Sequence, residues 1–233
     1  MIGLVLSFRF TSVACQICLP FPKESLADRI LEAEHLVLAR EDPDKPFTLA
    51  SIQQLTGDEE APSMDLFLDS STRRLLARKP EQSVLCGWSP SRREWRRLTI
   101  YDETIAPVVA RILGGRTEWS GNEEERLRFF ADYLGHEDTR LSDLAHIEIA
   151  GARYSQLMQY ADRIPREDLL AYLDNFRRLE WHALYILFLG KSGHPEDREK
   201  IREEMGEAAE FHLTTRTAAW ATAFLEIEGA NGI

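Results

Sequence analysis

The sequence predicts an α+β chain, a small β-rich part followed by a stack of short helices. Two observations carry this. Before residue 102 the apolar residues fall in short runs separated by turn-forming clusters, whereas beyond it they recur at helical spacing, so the period switches from about 2 to about 3.6 near Tyr101–Asp102. From Asn122 onward, helix-length segments are punctuated by Gly, Pro or Asp and joined by only a few residues, as antiparallel neighbours require.

The first part is read in order. SLADRILEAE (25–34) is a short helix with Ser25 at its cap and Leu26, Ile30 and Leu31 on one face. HLVLA (35–39) is an apolar strand closed by the turn-rich EDPDKP, and FTLASIQQL (47–55) a second strand ended by Gly57. MDLFLD (64–69), SVLCGW (83–88) and EWRRLTIY (94–101) supply three more. Between them SSTRRLLARKP reads as a helix capped by Ser70 or Ser71 and stopped by Pro80. Five such strands suit a small barrel or curled sheet, with DETIAPVVARILGG as its closing helix and Gly114-Gly115 as terminator.

The second part opens with NEEERLRFFADYL, which places Leu127, Phe130 and Leu134 on one stripe and acids at the positive end of the helix dipole. TRLSDLAHIEIAGA, YSQLMQYADRI, PREDLLAYLDNF, LEWHALYILFLG, PEDREKIREEMGEA and TTRTAAWATAFLEIEG follow, with Pro165 and Pro195 where first-turn prolines belong. The expected domains are 15–115 and 122–233.

LGHEDTRLSDLAHIEIA resembles the inter-helix turn and second helix of a HEAT-type repeat, with Asp138, Arg140, Leu141, Leu144 and Ala145 in the matching places. LGKSGHPEDREKI echoes that turn with Asp197 and Arg198. The resemblance implies a HEAT-like α-solenoid, a scaffold that presents an extended surface and carries no built-in chemistry. The whole chain is also similar to uncharacterised exported bacterial proteins in which a small cysteine-led β domain precedes such helices. That β domain resembles the netrin-like version of the OB barrel.

Composition bounds the partners. Of 233 residues 29% are charged, with a formal net charge of −11. Residues 1–115 carry 14 basic and 16 acidic side chains, and residues 116–233 carry 14 and 23. An acidic second half repels nucleic-acid phosphates and anionic membrane. No apolar run reaches the length of a membrane-spanning helix.

Residues 1–14, MIGLVLSFRFTSVA, read as a secretory signal cut ahead of Cys15, which implies a periplasmic or otherwise extracytoplasmic protein. Arg9 interrupts the apolar run, and the same residues also suit a buried first strand. Within VACQICLP, the Cys15–Cys18 spacing raises three readings. A thiol redox pair needs a helix after the first cysteine, but Leu19-Pro20-Phe21-Pro22 follows. A zinc site needs about four ligands, and Cys86 is the only other cysteine. A structural disulfide among Cys15, Cys18 and Cys86, or plain buried thiols, is therefore expected.

No catalytic, cofactor or metal motif stands out: HExxH, GxSxG, P-loop and GxGxxG patterns are absent. His136, Glu137 and Asp138 sit at a helix junction, where capping accounts for them. His146 and Glu148, two apart on a helix, face different ways, and His182 reads as a core histidine beside Trp181 and Tyr185. The expected function is a non-catalytic extracytoplasmic protein-interaction module. A rival is single-stranded nucleic-acid or anion binding by Trp88, Arg92, Arg93, Trp95, Arg96 and Arg97, with Arg73, Arg74, Arg78 and Lys79 upstream. Strand alternation offers the simpler account, with arginines outward and Trp95 packed. Finally, Trp220, Phe224 and Leu225 give the last helix bulk on more than one side, which predicts self-association or partner docking there.

Overall fold

Ser25 caps the first helix, α1 (Leu26–Glu32), reciprocally: its hydroxyl accepts from the Asp28 N–H, and the Asp28 carboxylate accepts from the Ser25 N–H. The structure, a computed structural model, describes residues 24–57, 61–119, 122–210 and 216–229. It has the α+β composition the sequence predicts. Its described residues fall into two compact units, one of 24–133 with Asp138–Leu144 and the other of Leu134–Glu137 with 145–229.

In the first unit, β1 (His35–Glu41), β2 (Leu49–Thr56), β3 (Ser83–Ser89) and β4 (Glu94–Tyr101) form an antiparallel sheet in the order β2-β1-β3-β4. Both faces are covered, so β1 and β3 read as continuous apolar runs and not as alternating ones. On one face α1 packs against α3 (Ala106–Gly114), β3 and β4. Asp102 starts α3 by accepting from the N–H groups of Thr104 and Ile105. Gly115 ends it, and a Cβ there would lie 2.7 Å from the Trp119 ring. The opposite face buries Val37, Ala39, Val84, Cys86 and Trp95 under Leu68 and Leu76.

Four of the five expected strands form. The fifth, MDLFLD, contributes a single bridge between Thr48 and Phe67, flanked by bonds from Leu49 N to Leu66 O and from Leu68 N to Phe47 O. It is cut short because Asp69 turns the chain at once into α2 (Ser70–Arg78). Asp69, and neither Ser70 nor Ser71, is the N-cap: its carboxylate accepts from the N–H groups of Ser71 and Thr72. Among the described residues the sheet stays open, with β2 and β4 flanking it. The helix α4 (Glu123–Ala131) completes the unit, its Arg126 bonded to Asp28 and Ser25 of α1.

Every segment expected as a helix beyond Asn122 is helical where it is described. After α5 (Thr139–Ala150) come α6 (Tyr154–Leu157), α7 (Arg166–Leu173), α8 (His182–Ser192), α9 (Pro195–Glu210) and α10 (Thr217–Glu228). Two segments are partly 3-10: Met158–Arg163, closed by extended Ile164 before Pro165, and Phe176–Trp181, opened by the Asn175 side chain. In the second unit α8 is the core. Residues His182 through Gly190 are all buried, and α7, α9, α10 and both 3-10 turns pack on it. Gly190 permits the closest approach: a Cβ there would stand 2.9 Å from the Ala223 Cβ on α10.

Among the described residues, no helix is long and apolar enough to cross a membrane.

Candidate binding groove

The β1–β2 turn, DPDKP, delivers Phe47 with φ +63°, a backbone conformation that bulky residues rarely adopt. Three contacts hold it. The Glu41 carboxylate accepts from the Phe47 N–H at 3.0 Å, the Phe67 ring stacks 6.4 Å away, and the Arg73 guanidinium lies 4.6 Å over the Phe47 ring. Strain of this kind persists only where neighbours over-determine it, and it turns an aromatic ring toward solvent. Phe47 is 39% exposed and Phe67 66%.

Glu41, Phe47, Ser70, Arg73, Arg74 and Ala77 line an open groove of about 520 Å³. Arg73 Nε donates to both Glu41 oxygens at 2.7 and 2.8 Å, and Arg74 Nε donates to the Ser70 carbonyl at 3.1 Å. Among the described residues the Nη groups of both arginines make no hydrogen bond. The Glu41 carboxyl is held below the ordinary range, first by the Arg73 bond and then by the Phe47 N–H. Residues 70–79 carry four cations and no acid in a chain of net charge −11. The groove therefore combines the Phe47 ring with two guanidinium groups and one carboxylate, a lining of net positive charge, which suits an anionic group carried on an apolar stem.

The Trp/Arg run is divided by strand alternation. Trp88 and Trp95 face each other across β3–β4, and Trp95 is buried with its Nε1–H on the Pro62 carbonyl. Arg97 lies opposite Cys86, and its guanidinium meets Asp69 at 2.6 Å. Arg96 lies opposite Gly87, on the α1 side, where it pairs with Glu24 at 2.8 Å; Arg92 approaches the same carboxylate at 3.5 Å. Arg93 is exposed at a left-handed turn position. The six residues thus share no single surface. Asp69 gathers Ser71, Thr72 and Arg97, and those bonds hold its carboxyl far below the ordinary range.

Cys86 is a free thiol with no exposure at the centre of β3, pushed up to about 12 by burial against a smaller opposing pull from Arg97. Cys15 and Cys18, with the expected signal segment, lie outside the described residues. Trp220 is buried, Phe224 half-buried, and Leu225 is 45% exposed. His146 and His182 are buried, the first bonded to the Tyr185 hydroxyl at 2.9 Å. Among the described residues no three His, Cys, Asp or Glu side chains are grouped to hold a metal ion.

The groove went unread in the sequence, although its cations did not. The run Arg73, Arg74, Arg78 and Lys79 is visible, but nothing local says that the ring of a turn residue 26 positions earlier lies under Arg73. Comparison of the chain with protein-family models, with curated proteins and with solved structures finds no match.

Proposed function

We propose that the protein is a non-catalytic interaction module that takes an acidic segment of a partner protein into the α2 groove. One observation carries the reading: among the described residues the Nη groups of Arg73 and Arg74 are unengaged, beside the exposed ring of Phe47 and the Phe67 ring stacked on it. A carboxylate on the guanidinium edges and an apolar side chain on Phe47 and Phe67 satisfy both at once. The overall negative charge steers acidic ligands away from most of the surface and leaves this site as the favoured landing place.

The test is fluorescence anisotropy with a labelled peptide of alternating Glu and Phe, a Lys/Phe control and a single-stranded oligonucleotide. The Glu/Phe peptide is expected to bind, and Arg74→Glu to weaken it by about tenfold or more, mostly through slower association and steeper salt dependence. Equal binding of the two peptides, or indifference to Arg74→Glu, overturns the reading. Oligonucleotide binding lost on changing Arg93 and Arg97 to Ala would instead favour nucleic-acid binding through the Trp/Arg strand.

A further inference from the structure

His182, the first residue of α8, is buried with one ring nitrogen committed to each of two neighbours. Its Nε2 lies 3.2 Å from the Asn175 carbonyl, which can only accept, so Nε2 carries the hydrogen. Nδ1 then presents a lone pair, and Arg216 Nη1 donates to it at 2.7 Å. Arg216 is the N-cap of α10, with φ +63°, and no side chain caps that helix. Its Nε is buried without a hydrogen bond, and among the described residues no carboxylate pairs with it. A half-buried guanidinium thus rests on a neutral imidazole, and that contact ties the first turn of α10 to α8.

We propose that His182 and Arg216 form a proton-operated latch, fastening the start of α10 to α8 at neutral pH and releasing it in acid. A proton can enter the ring only at Nδ1. Once there it replaces the lone pair with an N–H and sets imidazolium against guanidinium, and the contact is lost. Around the ring stand Arg216 from α10, Asp174 at the end of α7, and Tyr185 on α8 itself, which binds Arg178 of the second 3-10 turn and His146 of α5. Asp162 and Arg163 of the first 3-10 turn are exposed, and the Asp197 carboxylate of α9 binds Ser192 at the opposite end of α8. Burial first and then Arg216 disfavour the proton and prevail over the Asn175 and Tyr172 carbonyls and Asp174, which favour it, so the docked ring titrates below the ordinary histidine range.

With α10 released the ring returns to its ordinary value, about 6.5. Docking is therefore fully effective above that pH and weakens as pH falls toward the value of the docked ring. One proton limits the change in the opening equilibrium to about tenfold per pH unit. Hydrogen exchange of the full chain, read by mass spectrometry at pH 7.5, 6.5 and 5.5 and corrected for intrinsic exchange, tests this. Peptides covering 217–228 should lose protection by up to about tenfold between pH 6.5 and 5.5, while those covering β1 and β3 hold theirs. His182→Asn keeps an acceptor where Nδ1 stands and cannot titrate, so its α10 should be flat with pH. Arg216→Met should show low α10 protection throughout. A flat wild type, an unchanged slope in His182→Asn, or parallel loss in the sheet peptides overturns the latch. Should both variants misfold, the wild-type His182 ring can be followed by NMR: it must titrate together with the α10 amides, and independent titration overturns the proposal.

Discussion

Arg166 at the start of α7 closes on Asp197 in the first turn of α9 by two routes, Nε to Oδ2 at 2.8 Å and Nη2 to Oδ1 at 2.7 Å, with the carboxylate side chain only 2% exposed. Ser192 at the end of α8 adds a third bond at 2.6 Å, so one carboxylate joins three helices. In the HEAT-like resemblance Asp197 and Arg198 form the turn pair, but the guanidinium bound here belongs to Arg166.

Removing either partner leaves the other poorly satisfied. Arg166→Ala strands a buried carboxylate, so the second unit should lose more stability than an exposed surface pair supplies. Urea unfolding followed by circular dichroism measures it, and a loss below about 1 kcal/mol would show the pair to behave as a surface bridge.

The same carboxylate sets an acid dependence. Burial alone would raise its pKa; the Arg166 and Ser192 bonds outweigh this and hold it below the ordinary value. Its folded pKa is therefore depressed, so the contribution is complete above about pH 4 and disappears as pH falls through the folded value. The stability gap between wild type and Asp197→Asn should be constant from pH 7 to 5 and shrink below 4, as paired melts will show.

Cys86 should be inert while the fold holds. In a chain with Cys15 and Cys18 changed to Ser, a disulfide reagent at pH 8 should label nothing natively and one thiol in urea. Rapid native labelling would mean that the α2 layer opens readily over the sheet.

Asp69→Ala should free the start of α2 and unseat Arg97 together, since one carboxylate serves both. The expected readout is faster hydrogen exchange at 71–74 with the α1 face unchanged. Asp69→Asn, which keeps the cap acceptor, should restore most of the protection at α2.

On α10, Trp220→Glu and Leu225→Glu separate core from surface. Trp220 is 5% exposed, so its change should unfold the helical unit, whereas Leu225 is 45% exposed and its change should leave stability within about 0.5 kcal/mol. Sedimentation of the Leu225→Glu chain then asks whether the C-terminal helix self-associates. Its outcome is informative because the fold survives.

The sequence by itself determined the α+β composition, the four strands and the helical character of every segment after Asn122, because these follow from local period, caps and breaks. Strand alternation correctly packs Trp95, but the expected single outward face of arginines does not form: Arg96 pairs with Glu24 on the α1 side, whereas Arg97 shares the Trp95 side of β4 and meets Asp69. Only the tertiary structure decided what depends on residues far apart in the chain. MDLFLD has the composition of a strand, yet the Asp69 cap takes the chain into a helix after a single bridge. Arg73 finds Glu41 and Phe47 from another element, Asp197 takes Arg166 and not its neighbour Arg198, and His182 meets Arg216 from 34 residues away. Periodicity reports which way a side chain faces on its own element. Which charge or ring it meets is set by how elements pack, and no local pattern encodes that.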